Sequence, residues 1–228
     1  MLISNLAIHD VVVYGTAGTA RDILEAMEAD NAARRRWNIL GFLDDNADLL
    51  GQEVMGYPVL GGGGALEALP ALRGVKVVLG MANDRNLLIR KTVRARLRLG
   101  ADRFPVIVHP TAVVSRHSQI GEGAVFLAGS FCSNLTTVGR HVLVLPGTII
   151  GHDAVVGDYV SFSDNVATGG GFRIGEGSYV GQGASIIPGA RIGARCLVGM
   201  GAVVIRDVPD GAVVVGNPAR VIRVEEQA

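Results

Sequence analysis

From residue 108 to residue 204 the chain repeats itself every six residues. Stepping by six gives Val108, Val114, Ile120, Phe126, Cys132, Val138, Val144, Ile150, Val156, Phe162, Thr168, Ile174, Val180, Ile186, Ile192, Val198 and Val204, all apolar except Thr168. Nine of these seventeen residues are followed directly by glycine, and four places after each apolar residue small side chains prevail, as at Ala124, Ala154, Ser178, Ala184 and Ala202. No insertion breaks the register. A fixed six-residue period specifies a parallel β-helix of short strands and turns, in which three hexapeptides close one triangular coil. The aliphatic residue of each step points inward and stacks on its counterpart one coil away. Glycine and small residues permit the tight corners.

The first hundred residues follow a different rule. Short apolar runs over 11–14, 39–43, 57–60 and 75–79 read as strands. Amphipathic stretches over 20–29 and 83–99 read as helices, the second with Leu87, Leu88, Val93 and Leu97 on its apolar side. Strand–helix alternation implies a parallel sheet. The expected fold class is therefore α/β plus all-β: a small Rossmann-like parallel α/β domain over 1–107, then a parallel β-helix over 108–228.

Composition removes several classes of function. Lys+Arg and Asp+Glu are both 21, so no global basic field draws in nucleic acid or an anionic membrane. The basic run from Arg85 to Arg103 reads as a solvated helix face. Cys132 and Cys196 form no CxxC motif, which excludes a Cys-rich zinc site, and no apolar run approaches a membrane span. The N-terminus lacks the pattern of a signal peptide, and a cytoplasmic location is expected.

A set of short motifs completes the pattern: a glycine loop from Gly15 to Arg21, Gly41-Phe42-Leu43-Asp44-Asp45, His109-Pro110 at the entry to the repeats, Gly151-His152-Asp153, and Gly216-Asn217-Pro218-Ala219-Arg220 near the end. With the hexapeptides, these make residues 10–222 resemble the hexapeptide-repeat sugar acyltransferases, the group of sialic acid O-acetyltransferase and the nucleotide-amino-sugar N-acetyltransferases. The resemblance implies a left-handed β-helix, a homotrimer and acetyl-CoA lying between adjacent prisms. It implies an O- or N-acetyltransferase acting on a sugar, nucleotide-linked, in cell-surface polysaccharide or glycan biosynthesis. A non-catalytic β-helix scaffold or sugar-binding regulator is the alternative. An NAD enzyme is disfavoured because Ala17 and Ala20 break the GxGxxG fingerprint.

Acyl transfer from a thioester needs a group that takes a proton from the attacking amine or hydroxyl, and a neutral imidazole suits that task near neutral pH. By resemblance His152 matches the family's base, and Asp153 is placed to orient it. No acyl-enzyme is expected, because both cysteines fall at inward positions. Candidate acetyl-CoA contacts are Gly170, one coil beyond His152, the stacked pair Ala184 and Ala202, and Arg206. Gly15, Thr16, Gly18 and Thr19, with Asp44 and Asp45, are the candidate nucleotide-sugar contacts. A strand–glycine-loop–helix turn presents backbone N–H groups to phosphate. His9, His109, His117 and His141 are given structural roles, with His117 and His141 outward and His9 in a loose N-terminus. Their spacings do not stack in register with His152, so no metal is expected. Gly151, Ser161, Leu145 and Thr19 depart from the better-known N-acetyltransferases, which carry Glu, His, Asn and His there.

Overall fold

The computed structural model describes residues 8–82 and 84–224. Its N-terminal part runs β1 (His9–Tyr14), α1 (Gly18–Ala33), β2 (Trp37–Leu43), β3 (Glu53–Val54), β4 (Tyr57–Pro58), α2 (Ala65–Ala68), β5 (Lys76–Leu79) and α3 (Ile89–Leu97). β2, β1 and β5 form a three-stranded parallel sheet with β1 central. The central run Val11-Val12-Val13-Tyr14 is buried on both faces, as a parallel strand between helices requires. α1 buries Ala20, Ile23, Leu24 and Met27, one helical stripe, against that sheet.

Three local expectations change. Residues 57–60 do not join the main sheet. Pro58 has no N–H for an internal ladder, and β4 pairs antiparallel with β3, leaving a single parallel bridge from Val59 to Phe42. The second helix begins at Ile89; residue 83 lies outside the described residues, and Leu87 and Leu88 precede the helix. Leu88 instead packs on the coils, where a Cβ at Gly177 would stand 2.4 Å from its Cδ2. His9, expected in a loose terminus, is paired in β1 opposite Trp37.

From Ile107 the chain winds as a triangular prism of two-residue strands. The first face stacks Ile107–Val108, Val125–Phe126, Leu143–Val144, Ser161–Phe162, Tyr179–Val180 and Leu197–Val198. The second runs from Val113–Val114 to Val203–Val204, and the third from Gln119–Ile120 to Arg191–Ile192. Partners lie 18 residues apart, as in Phe131↔Ile149, until the final step Leu197↔Val213 shortens to 16. After Ala212–Val215, Arg220–Val224 turns back antiparallel and covers that edge of the first face.

The corners explain the glycine pattern. A Cβ at Gly151 would stand 2.5 Å from the carbonyl carbon of Gly169, so the residue after each aliphatic position touches the next coil's backbone. Two places further on the backbone is left-handed, as at Asp153 with φ 55°. The next residue turns inward, and this corrects one expectation. Ala184 and Ala202 are 0% exposed and belong to the prism's core with Phe126, Phe162 and Phe172. They face the inside of the corner, at the position that Phe172 fills in its own hexapeptide, so their side chains line no outer groove.

The N-terminal part sits on the first face. Val11, Val13, Ile23, Leu24, Met27 and Phe42 share one apolar cluster with Val125, Leu127, Leu143 and Leu145 of the coils. The resulting contact also buries His141, which the sequence placed outward. Its corner position is outward, but Phe104 meets its ring edge-on at 4.9 Å and Tyr159 stacks on it at 5.3 Å, leaving it 1% exposed. Burial, and then the charges of Arg94, Arg90 and Arg140, push its pKa down to about 3.

Candidate active site

His152 stands on the edge between the second and third faces, opposite the first face and its N-terminal cover. Main-chain bonds fix this corner: Asp153 N–H donates to Asn134 O (3.1 Å) and Gly171 N–H to His152 O (2.7 Å). The imidazole is 62% exposed. Its Nδ1 lies 2.6 Å from Asp153 Oδ2. The left-handed backbone at Asp153 is what lets neighbouring residues turn their side chains together. Asp153 thus holds Nδ1 in the N–H tautomer and leaves Nε2 free to accept a proton. Gly170, one coil on, lies directly against the ring: a Cβ there would stand 2.4 Å from Nε2 and 2.5 Å from Cε1. Gly170 is therefore the seat of the imidazole. Arg206 lies exposed on the same corner column, three coils from His152, beside a cavity of about 200 Å³ that Arg220 also lines.

The glycine loop lies on the N-terminal part. Gly15, Thr16, Ala17, Gly18, Thr19 and Asp44 line a cavity of about 360 Å³ with Met81, Ala82 and Ile89. No side chain caps α1, so its first N–H groups are left for another acceptor. Thr16 Oγ1 donates to Asp44 Oδ2 (2.8 Å), tying the loop to the end of β2. Asp45 parts from Asp44. Its oxygens accept from Tyr14 Oη (2.6 Å), Gly63 N–H (3.4 Å) and Arg96, and it lines a separate cavity of about 340 Å³. Burial opposes ionisation of Asp45, yet these hydrogen bonds outweigh it and hold its pKa below the usual carboxylate range. Burial, then the bond to Asp45, pushes Tyr14 up to about 12.

Both cysteines are 0% exposed. Burial pushes the Cys132 thiol up to about 11 and raises Cys196 as well, so neither is a thiolate at neutral pH. Among the described residues no helix is long and apolar enough to cross a membrane. One residue that sequence reasoning missed is Arg90, assigned with its neighbours to a solvated basic run but 1% exposed. The signal was present: Arg90, Val93 and Leu97 form the buried stripe of α3.

Comparison with known proteins places this geometry. Residues 10–92 match the PglD N-terminal domain, and residues 173–206 match the bacterial transferase hexapeptide (six repeats). GDP-perosamine N-acetyltransferase of Escherichia coli O157:H7 is 36% identical over 124 residues, 54% of this chain and 53% of the relative. UDP-N-acetylbacillosamine N-acetyltransferase of Bacillus subtilis (strain 168) is 34% identical over 120 residues, 52% of this chain and 51% of the relative. The match therefore spans about half the length of these curated relatives. Solved structures extend it to the whole fold. PerB of Caulobacter crescentus, in complex with CoA and GDP-perosamine, superimposes with a TM-score of 0.82 at 31% identity, over 96% of this chain and 99% of that one. The acetyltransferase domain of PglB from Neisseria gonorrhoeae, in complex with acetyl coenzyme A, gives 0.81 at 30% identity, over 95% and 100%. The prism is thus a left-handed parallel β-helix, preceded by a Rossmann-like parallel α/β sheet. The chain belongs to the hexapeptide-repeat sugar acyltransferases, the family of sialic acid O-acetyltransferase and the nucleotide-amino-sugar N-acetyltransferases.

Proposed function

We propose that the protein transfers an acetyl group from acetyl-CoA to the amine of a nucleotide-linked amino sugar, in glycan biosynthesis. The observation that carries this reading is the exposed His152–Asp153 pair with Nε2 free, on a β-helix whose relatives bind CoA. His152 Nε2 takes the proton as the sugar amine attacks the thioester carbonyl. Backbone N–H groups of the coils stabilise the oxyanion. The C–S bond then breaks, the proton passes to the departing CoA thiolate, and the amide is complete. The buried cysteines support direct transfer in a ternary complex rather than an acyl-enzyme. The glycine loop and the start of α1 hold the nucleotide phosphates, and Asp44 takes a hydroxyl or base N–H. Gly170 and Arg206 flank the acetyl-CoA path along the corner column.

His152 and the glycine-loop cavity lie on opposite sides of one prism. The reading therefore places them together across an interface in a homotrimer, one subunit supplying the base and its neighbour the nucleotide cavity. The second face supports this: its outward residues Val113, Phe131 and Ile149, with Leu135 at its edge, form an exposed apolar row. The third face carries Gln119, Thr137, Arg173 and Arg191 instead. Division of the chain near 107/108 into an acceptor part and an acetyl-CoA part belongs to the same proposal, as does a cytoplasmic location, where acetyl-CoA and nucleotide sugars are both at hand.

The test is release of CoA thiol from acetyl-CoA with UDP-, GDP- and dTDP-linked amino sugars. Turnover with one of them is expected; saturable binding of a nucleotide sugar with no thiol release for any would favour the scaffold. A second experiment isolates the seat of the base. Gly170 has no left-handed φ, so Gly170→Ala suits the backbone but drives the imidazole aside. We expect kcat to fall by about 10–10²-fold with the melting temperature unchanged. Wild-type kcat in Gly170→Ala would show that the ring position is immaterial.

A further inference from the structure

We propose that Arg90 is a positioning residue that fixes the glycine-loop cavity at one height along the coils; this rests on the reading above. Its guanidinium spans the boundary between the two parts of the molecule. On the N-terminal side Nη1 donates to Met81 O (2.6 Å), and both Met81 and the neighbouring Ile89 line the glycine-loop cavity. On the other side Nε donates to His141 O (3.1 Å), and Nη2 to Tyr159 O (2.5 Å), Val160 O (3.3 Å) and Ser161 Oγ (2.9 Å). His141 and Tyr159 are one coil apart, so one side chain grips a cavity wall and two successive coils.

The chemistry of the contact favours geometry over adhesion. Residues around it already join the two parts through a shared apolar cluster, which is non-directional and tolerates sliding. Arg90 is 1% exposed and has no carboxylate among its partners in the described residues. Desolvation pushes its pKa down to about 9, a sign of how unfavourable the site is for a cation. What a planar fork of fixed donors supplies, and apolar packing does not, is a single register. On the prism every acceptor but Ser161 Oγ is a main-chain carbonyl at a fixed height. Beside it only the exposed Lys91–Glu176 pair (2.7 Å) ties α3 to the coils by charge among the described residues, so this buried fork is what holds the cavity at one distance from each coil, and so from the corner where a neighbouring subunit presents its base.

The test uses Arg90→Lys in the full-length protein, with Arg90→Gln where the lysine variant does not fold. Acetyl transfer is measured to the nucleotide-linked acceptor and to the same amino sugar without its nucleotide, which does not engage the glycine loop. We expect kcat for the nucleotide-linked acceptor to fall at least tenfold. The KM for acetyl-CoA and the rate with the free sugar should stay within twofold. Equal losses for both acceptors, or no loss in a folded variant, would overturn the proposal. A second readout needs no turnover: spin labels at Glu25→Cys and Arg191→Cys, both exposed positions, diluted with unlabelled protein. The distance distribution should be narrow with Arg90 and broad or shifted with Arg90→Lys; an unchanged distribution would also overturn it. If no acceptor is acetylated by the native protein, the functional reading has failed, and the distance measurement alone decides the role of Arg90.

Discussion

His152→Ala is expected to lower kcat by about 10²-fold or more, with the KM for acetyl-CoA and the melting temperature close to native. The size follows from the role: removing a general base leaves bound substrates and coil N–H groups in place but no acceptor for the amine proton. The selectivity follows from position. The side chain is 62% exposed and its one polar side-chain contact among the described residues is Asp153, so truncation opens no cavity and strands no buried group. Steady-state kinetics beside thermal denaturation separates the outcomes. Full activity would remove His152 from the mechanism. Loss of activity with loss of folding would make it structural.

The second large effect is on stability. His141 is neutral and buried, with neither ring nitrogen hydrogen-bonded among the described residues, and its pKa is pushed down from 6.5 to about 3. Above pH 6.5 neither the folded nor the unfolded chain protonates this ring, so it contributes no pH dependence. Below that, the unfolded chain takes a proton that the folded chain refuses, and stability falls as pH drops toward 3. At pH 5 the loss from this one group is about 2 kcal/mol. Asn tolerates the left-handed backbone there, φ 54°, and does not titrate. We therefore expect the pH 7 to pH 5 loss in urea-denaturation free energy to be smaller in His141→Asn by about 2 kcal/mol. Parallel losses in the two proteins would mean that folded His141 accepts its proton freely.

The coils were legible because their signal is redundant. Each inward aliphatic residue repeats at a fixed step, and one exception, Thr168, does not erase the period. Register also put His152 on an outer corner, where the fold has it, but its role as base came from the resemblance carried by Gly151-His152-Asp153 and stays a proposal. Ala184 and Ala202 were misread because a small residue satisfies two different demands, room inside a corner or space for a ligand outside it. Only their place in the fold separates the two. His141 was misread because what buries it, Phe104 and the N-terminal part, is distant in sequence and outside the repeat. The partition of Asp44 and Asp45 was equally invisible: adjacent carboxylates at a strand end diverge, and Asp45 is taken by Tyr14 and Arg96, partners far off in the chain.

The corner column carries one residue per coil: Arg116, Asn134, His152, Gly170, Pro188 and Arg206. Neighbouring strands of a sheet lie about 4.8 Å apart, so Arg206 sits about 14 Å from His152 along the prism axis. That length is counted in whole coils, as on a ratchet. Side-chain substitutions leave it fixed, and insertion or loss of one coil alters it by about 4.8 Å at a stroke. A lineage built on this scaffold changes the span between the proposed base and cation in such jumps, by duplicating or deleting one coil in frame, 18 residues at the spacing of most paired strands. With the roles proposed for His152 and Arg206, the reach demanded of the cosubstrate is then set digitally, by the number of repeats between them.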